Sequence, residues 1–148
     1  MAKIDKTEKK LLETALKAMD KARVLWGLKV GAAVLANDGQ VYEGCNIESW
    51  ISGLGTCAER CGINHAVLHG NRKIREIAVV MGAGGHDEPR PCGACLQYIY
   101  DFAENSRIKI VMAKVENARI LFESVKVKTL EEMLPFPFKK MDNLRIKA

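Results

Sequence analysis

Residues 28–46 read LKVGAAVLANDGQVYEGCN, two apolar runs separated by a short polar segment. That segment, residues 37–40, is Asn-Asp-Gly-Gln. An Asp-Gly pair between apolar runs is a strong signal for a tight β-hairpin. The stretch therefore predicts two antiparallel strands, near residues 28–36 and 40–46.

An amphipathic helix is predicted before this hairpin, from about Asp5 to Trp26, because apolar residues recur there at helical spacing. After the hairpin, the sequence predicts a helix from Cys57 to about His69, a buried strand EIAVVMG and a helix from about Cys92 to Ala103. Two further strands, RIKIVMAK and RILFESV, and a short helix near residues 130–134 follow. Strands that alternate with helices favour parallel pairing through crossovers. We expect one domain, residues 1–148, folded as a three-layer α/β/α sandwich around a mixed sheet of about five strands.

The composition suggests an ordinary globular protein. The net charge is +5, but the lysines alternate with acidic residues and form no long block, which favours a solvated basic surface over a nucleic-acid site. No apolar run approaches the roughly 20 residues of a membrane helix. The N-terminal MAKIDKTEKK lacks the apolar core of a signal peptide. We therefore expect a cytoplasmic location and neither nucleic acid nor membrane as a partner.

Cysteine is present five times, and an odd number argues against a disulfide framework. Four of the five cysteines lie in two short segments, TCAERC at 56–61 and PCGAC at 91–95. Cys92 and Cys95 are three residues apart at a predicted helix start, so both sulfurs lie on one face. If Cys57 opens a helix that points to the same place, three thiolates converge, and zinc suits such a set.

Three other interpretations compete. Thr56-x-x-Glu59 matches a capping box, in which Glu59 only accepts a backbone hydrogen bond. Cys61 could complete a closed four-cysteine zinc site, which would be structural. Cys92-x-x-Cys95 alone could be a redox pair. A Cys followed two residues later by Glu, with Pro-Cys-x-x-Cys further on, is nevertheless typical of zinc deaminases, in which the metal activates water and the acid moves protons.

The segments KVGAAVLANDGQVYEGCNIE, GLGTCAER, PCGAC and EMLPFPF together resemble the short, homotetrameric, three-cysteine type of cytidine deaminase over about residues 29–138. The resemblance implies that Cys57, Cys92 and Cys95 bind one zinc ion per chain, and that Glu59 is the proton shuttle. It also implies that Arg60 donates to a zinc thiolate and offsets its charge.

The same resemblance assigns Asn46 and Glu48 to the ribose of the substrate, and Leu28 and Ala58 to the pocket. Leu28 stands where the family has an aromatic residue that stacks on the pyrimidine.

Trp50 replaces a small residue and Ser52 a tyrosine, in a stretch that reaches a neighbouring subunit's site in the family. Phe138 resembles an aromatic with the same role, although plain core packing explains it equally well. His65, His69 and His86 match no ligand position.

The expected function is zinc-dependent hydrolytic deamination of a free nucleoside, with cytidine or deoxycytidine as the first candidate. The changes at Leu28 and Trp50 would also suit a modified pyrimidine nucleoside or an aminated nucleoside antibiotic of the blasticidin S type. A non-catalytic zinc or interaction module with four cysteine ligands is the alternative from another class. Nucleic-acid editing is a weaker third, because polynucleotide deaminases mostly have His where this chain has Cys57.

Overall fold

The structure is a computed structural model that describes residues 3–84 and 88–139; His86 lies outside these residues. The first helix, α1 (Lys6–Met19), begins at Asp5, whose side chain forms a capping box with Glu8. Its buried face includes Leu11, Leu12 and Ala15. The expectation that this helix continues to Trp26 is wrong.

The helix ends early because the chain beyond it has other hydrogen-bond partners. Arg23 N–H donates to Asn46 O at 3.1 Å, and the backbone N–H groups of Leu25 and Trp26 donate to the Glu48 carboxylate. These bonds replace the helical bonds that the apolar spacing suggested, so a tertiary contact decides where the helix ends.

The predicted hairpin is confirmed, with β1 at Val30–Ala36 and β2 at Val41–Cys45 in antiparallel pairing. Gly39 has a φ of +81° in the turn, a conformation that costs glycine little. Asp38 supports the same turn, since its carboxylate accepts from Gln40 N at 2.9 Å and from the Tyr42 hydroxyl at 2.8 Å.

The remaining strands are β3 (Ile74–Gly82), β4 (Lys109–Glu116) and β5 (Arg119–Thr129), and the sheet order is β2-β1-β3-β4-β5. The pair β3–β4 is parallel and the other pairs are antiparallel, so the sheet is mixed as predicted. The β4–β5 connection turns at Asn117 and Ala118, which both have positive φ. That geometry matches a type I′ hairpin turn, although Ala118 is an unusual residue there.

Helices cover both faces of the sheet, as expected for three layers. The helices after the hairpin are α2 (Ala58–Leu68), α3 (Gly93–Phe102) and α4 (Leu130–Met133), and a 3₁₀ turn at Ser52–Leu54 precedes α2. One core cluster packs α1 against Ala33, Ala78 and Val111. The other packs α2, α3 and α4 against Val34, Ile77 and Ile110. Alternate residues of each strand thus face opposite layers.

Close packing of α2 on β2 positions the start of that helix. A Cβ added to Gly44 would lie 2.8 Å from the Cα of Gly62 and would overlap the carbonyl oxygen of Ala58. Since both neighbours are backbone, only glycine lets the helix approach this closely. The result is that the N-terminus of α2 lies directly over the end of the hairpin. None of the helices in the described parts of the chain has the length and apolar content needed to span a bilayer.

Candidate metal centre and substrate pocket

Three cysteine sulfurs meet where two helices begin. Cys57 is the N-cap of α2 and Cys92 is the N-cap of α3, while Cys95 lies in the first turn of α3. Their Sγ atoms all lie within 4.8 Å of one another. Ile47 and Thr56 exchange two backbone hydrogen bonds of 2.9 Å, which closes the loop before Cys57 and holds it beside the hairpin.

This sulfur cluster fits zinc. Tetrahedral zinc with Zn–S bonds of about 2.3 Å places its sulfurs roughly 3.8 Å apart. Two helix N-termini also point at the cluster and stabilise negative charge there. The Cys95 thiol donates a hydrogen bond to the Cys57 sulfur; this bond, with the nearby Arg60, lowers the pKa of Cys57 to about 5. The same hydrogen bond raises the pKa of Cys95, which keeps the proton. Zinc would replace that proton and bind all three sulfurs as thiolates.

Glu59 lies beside the sulfurs and is buried, with 4% of its surface exposed. Burial raises the pKa of its carboxyl group to about 7, and the nearby Cys57 adds to the rise. The N-cap of this helix is Cys57 and not Thr56, and no side chain among residues 3–84 and 88–139 caps it. Glu59 is therefore the second helical residue, one position short of a capping box, and the capping interpretation is wrong.

Arg60 and Cys61, which follow Glu59 on α2, differ in their relation to the sulfur cluster. Arg60 Nη2 donates to Cys57 Sγ at 3.7 Å. Cys61 is not part of the cluster that the described residues form, which contains Cys57, Cys92 and Cys95. Burial raises the pKa of the Cys61 thiol, which favours the protonated form over a metal ligand. The four-cysteine alternative is not supported.

A cavity of about 160 Å³ opens beside the cluster. Its lining includes the predicted pocket residues Asn46 and Ala58 together with Cys57, Glu59 and Cys92. Sequence reasoning missed four further lining residues: Val30, Val79, Met81 and Arg90. Val79 and Met81 are two residues apart on the α2 side of β3, so strand alternation in the sequence could have placed both in the pocket. Arg90 could have been found because it directly precedes Pro91-Cys92. Leu28 does not line the cavity.

The two residues assigned to ribose contact backbone groups in this structure. Asn46 Oδ1 accepts from Val30 N at 2.8 Å, and its Nδ2 donates to Leu28 O at 2.8 Å. The carboxylate of Glu48 accepts from the amides of residues 25–27. Both side chains also line a depression next to the cavity, together with Ser52, Cys57 and Arg60.

Exposed aromatic residues lie near this depression and at the C-terminal end of the described chain. Trp50 is 77% exposed and contacts Trp26, with ring centroids 5.8 Å apart. Phe138 is 74% exposed, so the core-packing alternative for it is wrong. Its backbone is nonetheless held, because its N–H and carbonyl both pair with the Gln97 side chain at 2.8 and 2.9 Å.

Comparison with known proteins decides the family. The profile of the cytidine and deoxycytidylate deaminase zinc-binding region matches residues 5–113. The chain belongs to this family. A cytidine deaminase from Sporosarcina psychrophila is 35% identical over 90% of this chain and 92% of its own length. One from Halalkalibacterium halodurans is 33% identical over 89% and 94%.

Solved structures of cytidine deaminases share the fold. The enzyme from Burkholderia pseudomallei matches with a TM-score of 0.76 and 34% identity, covering 88% of this chain and 98% of that one. The enzyme from Mycobacterium tuberculosis matches with a TM-score of 0.71 and 28% identity, covering 92% and 100%. The expected fold and family are therefore confirmed, and the three-cysteine cluster fits the zinc ion of such a deaminase.

Proposed function

We propose that this family member catalyses zinc-dependent hydrolytic deamination of a free nucleoside, converting cytidine or deoxycytidine and water to uridine or deoxyuridine and ammonia. The observation that carries the proposal is the placement of Glu59. A buried carboxyl group opens into a small cavity directly beside three convergent thiols. Relatives that align over most of the chain are named cytidine deaminases.

Zinc, when bound by Cys57, Cys92 and Cys95, supplies Lewis-acid chemistry that activates a water molecule at neutral pH. The Glu59 carboxylate would take one proton from the attacking water and give it to the pyrimidine ring nitrogen. It would then take the second proton from the hydroxyl group added to the ring carbon and give it to the departing amino group, which leaves as ammonia. A carboxyl group whose pKa is raised to about 7 suits this exchange, because it can both accept and donate protons near neutrality.

The other pocket residues bind and orient the substrate in this proposal. Ala58, between Cys57 and Glu59, leaves room for the pyrimidine at the cavity wall. Asn46 and Glu48 face the sugar, and each keeps an unused acceptor position after its backbone contacts. Arg60 offsets the negative charge that three thiolates and one zinc ion carry together.

A second substrate class remains open because the pocket rim is unusual. Leu28, whose carbonyl oxygen accepts from the cavity-lining Asn46, is 37% exposed, and Trp26 and Trp50 pack together in the adjoining segments. This rim suits a modified pyrimidine nucleoside or an aminated nucleoside antibiotic of the blasticidin S type. The two classes separate when cytidine, deoxycytidine and such compounds are compared by kcat/KM.

The assembly is proposed to be a homotetramer in which neighbouring chains complete each pocket. Trp50, Ser52 and Phe138 are the candidates for that contact, and all three side chains are exposed in the single chain. Light scattering after size-exclusion chromatography measures the mass. We further propose that residues 1–148 act as one deaminase domain in pyrimidine salvage. The cytoplasmic location and the absence of a nucleic-acid partner stay predictions.

The decisive experiment uses purified, zinc-loaded protein and a panel of aminated nucleosides. We expect the ultraviolet absorbance of cytidine to fall while one equivalent of ammonia appears. If cytidine, deoxycytidine and related aminated heterocycles all remain unchanged, the enzyme proposal is wrong and a non-catalytic zinc module takes its place.

A further inference from the structure

One carboxylate oxygen collects three consecutive backbone amides beside the pocket. Glu48 Oε2 accepts from Leu25 N, from Trp26 N at 2.9 Å and from Gly27 N at 3.4 Å. Successive N–H groups that point inwards form a concave site for an anion. These bonds, the one from Trp26 first, lower the pKa of Glu48, so the carboxylate is charged at neutral pH.

Further contacts join the same two segments, residues 23–30 and 46–50. Arg23 and Glu48 are linked through their backbones, since Glu48 N donates to Arg23 O at 2.8 Å, and the Arg23 guanidinium donates to Glu48 O. The Asn46 side chain accepts a hydrogen bond from Val30 N and donates one to Leu28 O, and the ring of Trp26 contacts that of Trp50. The first segment leads directly into Val30, which lines the cavity. Residues 25–28 do not themselves line the cavity but support Val30 and Asn46, which do, and we call residues 25–28 the pocket wall.

Gly27 makes the carboxylate contact possible. A Cβ added there would overlap Glu48 Oε1 and lie 3.4 Å from its Cδ. Apart from the two chain neighbours, no other atom of the described residues lies within 4 Å of it. Gly27 is not among the residues with positive φ, so alanine fits its backbone. Alanine at position 27 would therefore displace the carboxylate and leave the rest of the fold in place.

We propose that Glu48 and Gly27 are positioning residues: the Glu48 carboxylate clamps the amides of the pocket wall, and Gly27 leaves the space that this clamp needs. Glu48 then acts on every substrate through the wall, whatever contact its free oxygen makes with a sugar. The effect of the clamp on KM rests on the proposed deaminase function. Its effect on the conformation of residues 25–28 does not.

The two tryptophans give a direct readout of the clamp. The chain has only Trp26 and Trp50, and their rings are in contact, so we expect circular dichroism of the native protein to contain one tryptophan exciton couplet. We expect Gly27→Ala and Glu48→Ala to remove at least about half of this couplet, because the wall loses charge-assisted hydrogen bonds. Glu48→Gln keeps an acceptor oxygen and should retain most of it. Gly53→Ala is the matched control, because its added Cβ would meet nothing within 4 Å in the part of the chain that the structure describes.

Kinetics separate positioning from sugar contact. We expect Gly27→Ala and Glu48→Ala to raise KM at least about tenfold for 2′,3′-dideoxycytidine as well as for cytidine, with kcat within about twofold and one zinc per chain retained. A KM that rises for cytidine and not for the dideoxy compound, or an unchanged couplet in both variants, overturns the clamp. If the wild-type protein deaminates no nucleoside, the proposed function fails, while the couplet still tests the clamp.

Discussion

Arg60 donates from Nη2 to Sγ of Cys57 across 3.7 Å, one turn apart on the same face of α2. The bond ties a positive charge to the sulfur cluster, and Arg60 interacts with Cys95 as well. Three thiolates and one zinc ion would together carry one negative charge, which would weaken the metal's effect on water. The guanidinium would compensate for part of that charge.

Replacing Arg60 with glutamine is therefore expected to lower kcat about 10- to 100-fold, the usual effect of losing a hydrogen bond to a metal ligand. Zinc content and kcat are measured together on the same preparation. Arg72→Gln, at an exposed position of the same charge type, is the control. An unchanged kcat in Arg60→Gln would show that the charge of the cluster is compensated elsewhere.

Glu59→Gln is expected to lower kcat by at least about 10²-fold while zinc stays bound, because the amide keeps the shape of the side chain and cannot shuttle protons. Turnover of cytidine and metal analysis give the two numbers. Glu13→Gln, on the exposed face of α1, should behave like the wild type. Full activity in Glu59→Gln would remove this residue from the mechanism.

Cys61→Ser is expected to keep one zinc ion per chain, since Cys61 lies outside the sulfur cluster. Cys92→Ser is expected to lose most of the bound zinc, because it removes one of three thiolate ligands. Metal analysis after dialysis against a weak chelator compares the two. Zinc loss in Cys61→Ser would bring back the four-cysteine site.

The buried carboxyl group of Glu76 is expected to make the free energy of unfolding depend on pH. Its Oε1 is buried and has no hydrogen-bond partner among the described residues, and burial raises the pKa of the Glu76 carboxyl group to about 7. Lys109 opposes this rise, while Glu8 and Asp5 add to it. Lys109 donates to Glu8 instead, at 2.7 Å. The folded state therefore binds the Glu76 proton more tightly than the unfolded state does.

Because this folded-state pKa is raised, the free energy of unfolding falls as pH rises from about 4.5 to about 7. The side chain is only half-buried, so solvent reduces the effect to about 1 kcal/mol. Urea unfolding at both ends of this window should show that Glu76→Gln flattens the change, while the exposed control Glu123→Gln does not. Equal slopes in wild type and Glu76→Gln would contradict the assignment.

Ala118 has a φ of 59° in the β4–β5 turn, where a Cβ is strained. Ala118→Gly is therefore expected to raise the free energy of unfolding by about 0.5–1 kcal/mol. Gly39→Ala, at a φ of +81° in the other hairpin, should have the opposite sign. Thermal or urea unfolding measures both, and a destabilised Ala118→Gly would mean that the methyl group contributes packing that outweighs the strain.

Local patterns in the chain predict much of the fold. The hairpin, the helices that begin near Cys57 and Cys92, and the short helix after β5 follow from apolar spacing, turn residues and helix starts, all of which act over a few neighbouring positions. The helix end at Met19 could not be predicted in this way. It depends on Asn46 and Glu48, more than 20 residues further on, which take the backbone groups that helical spacing alone assigns to the helix.

The amino-acid sequence by itself determined the chemistry of this protein: which cysteines are available, that an acid follows Cys57 by two residues, and that the motifs are those of a zinc deaminase. Only the tertiary structure decided which groups meet. It joined Cys57 to a pair more than 30 residues away and left Cys61 outside. It also made Cys57 the N-cap of α2, so that Glu59 is not part of a capping box, and it placed three backbone N–H groups within hydrogen-bond distance of the Glu48 carboxylate. The physical reason is that burial and helix packing, set by close contacts such as that of Gly44 with Gly62, bring distant segments within bonding distance.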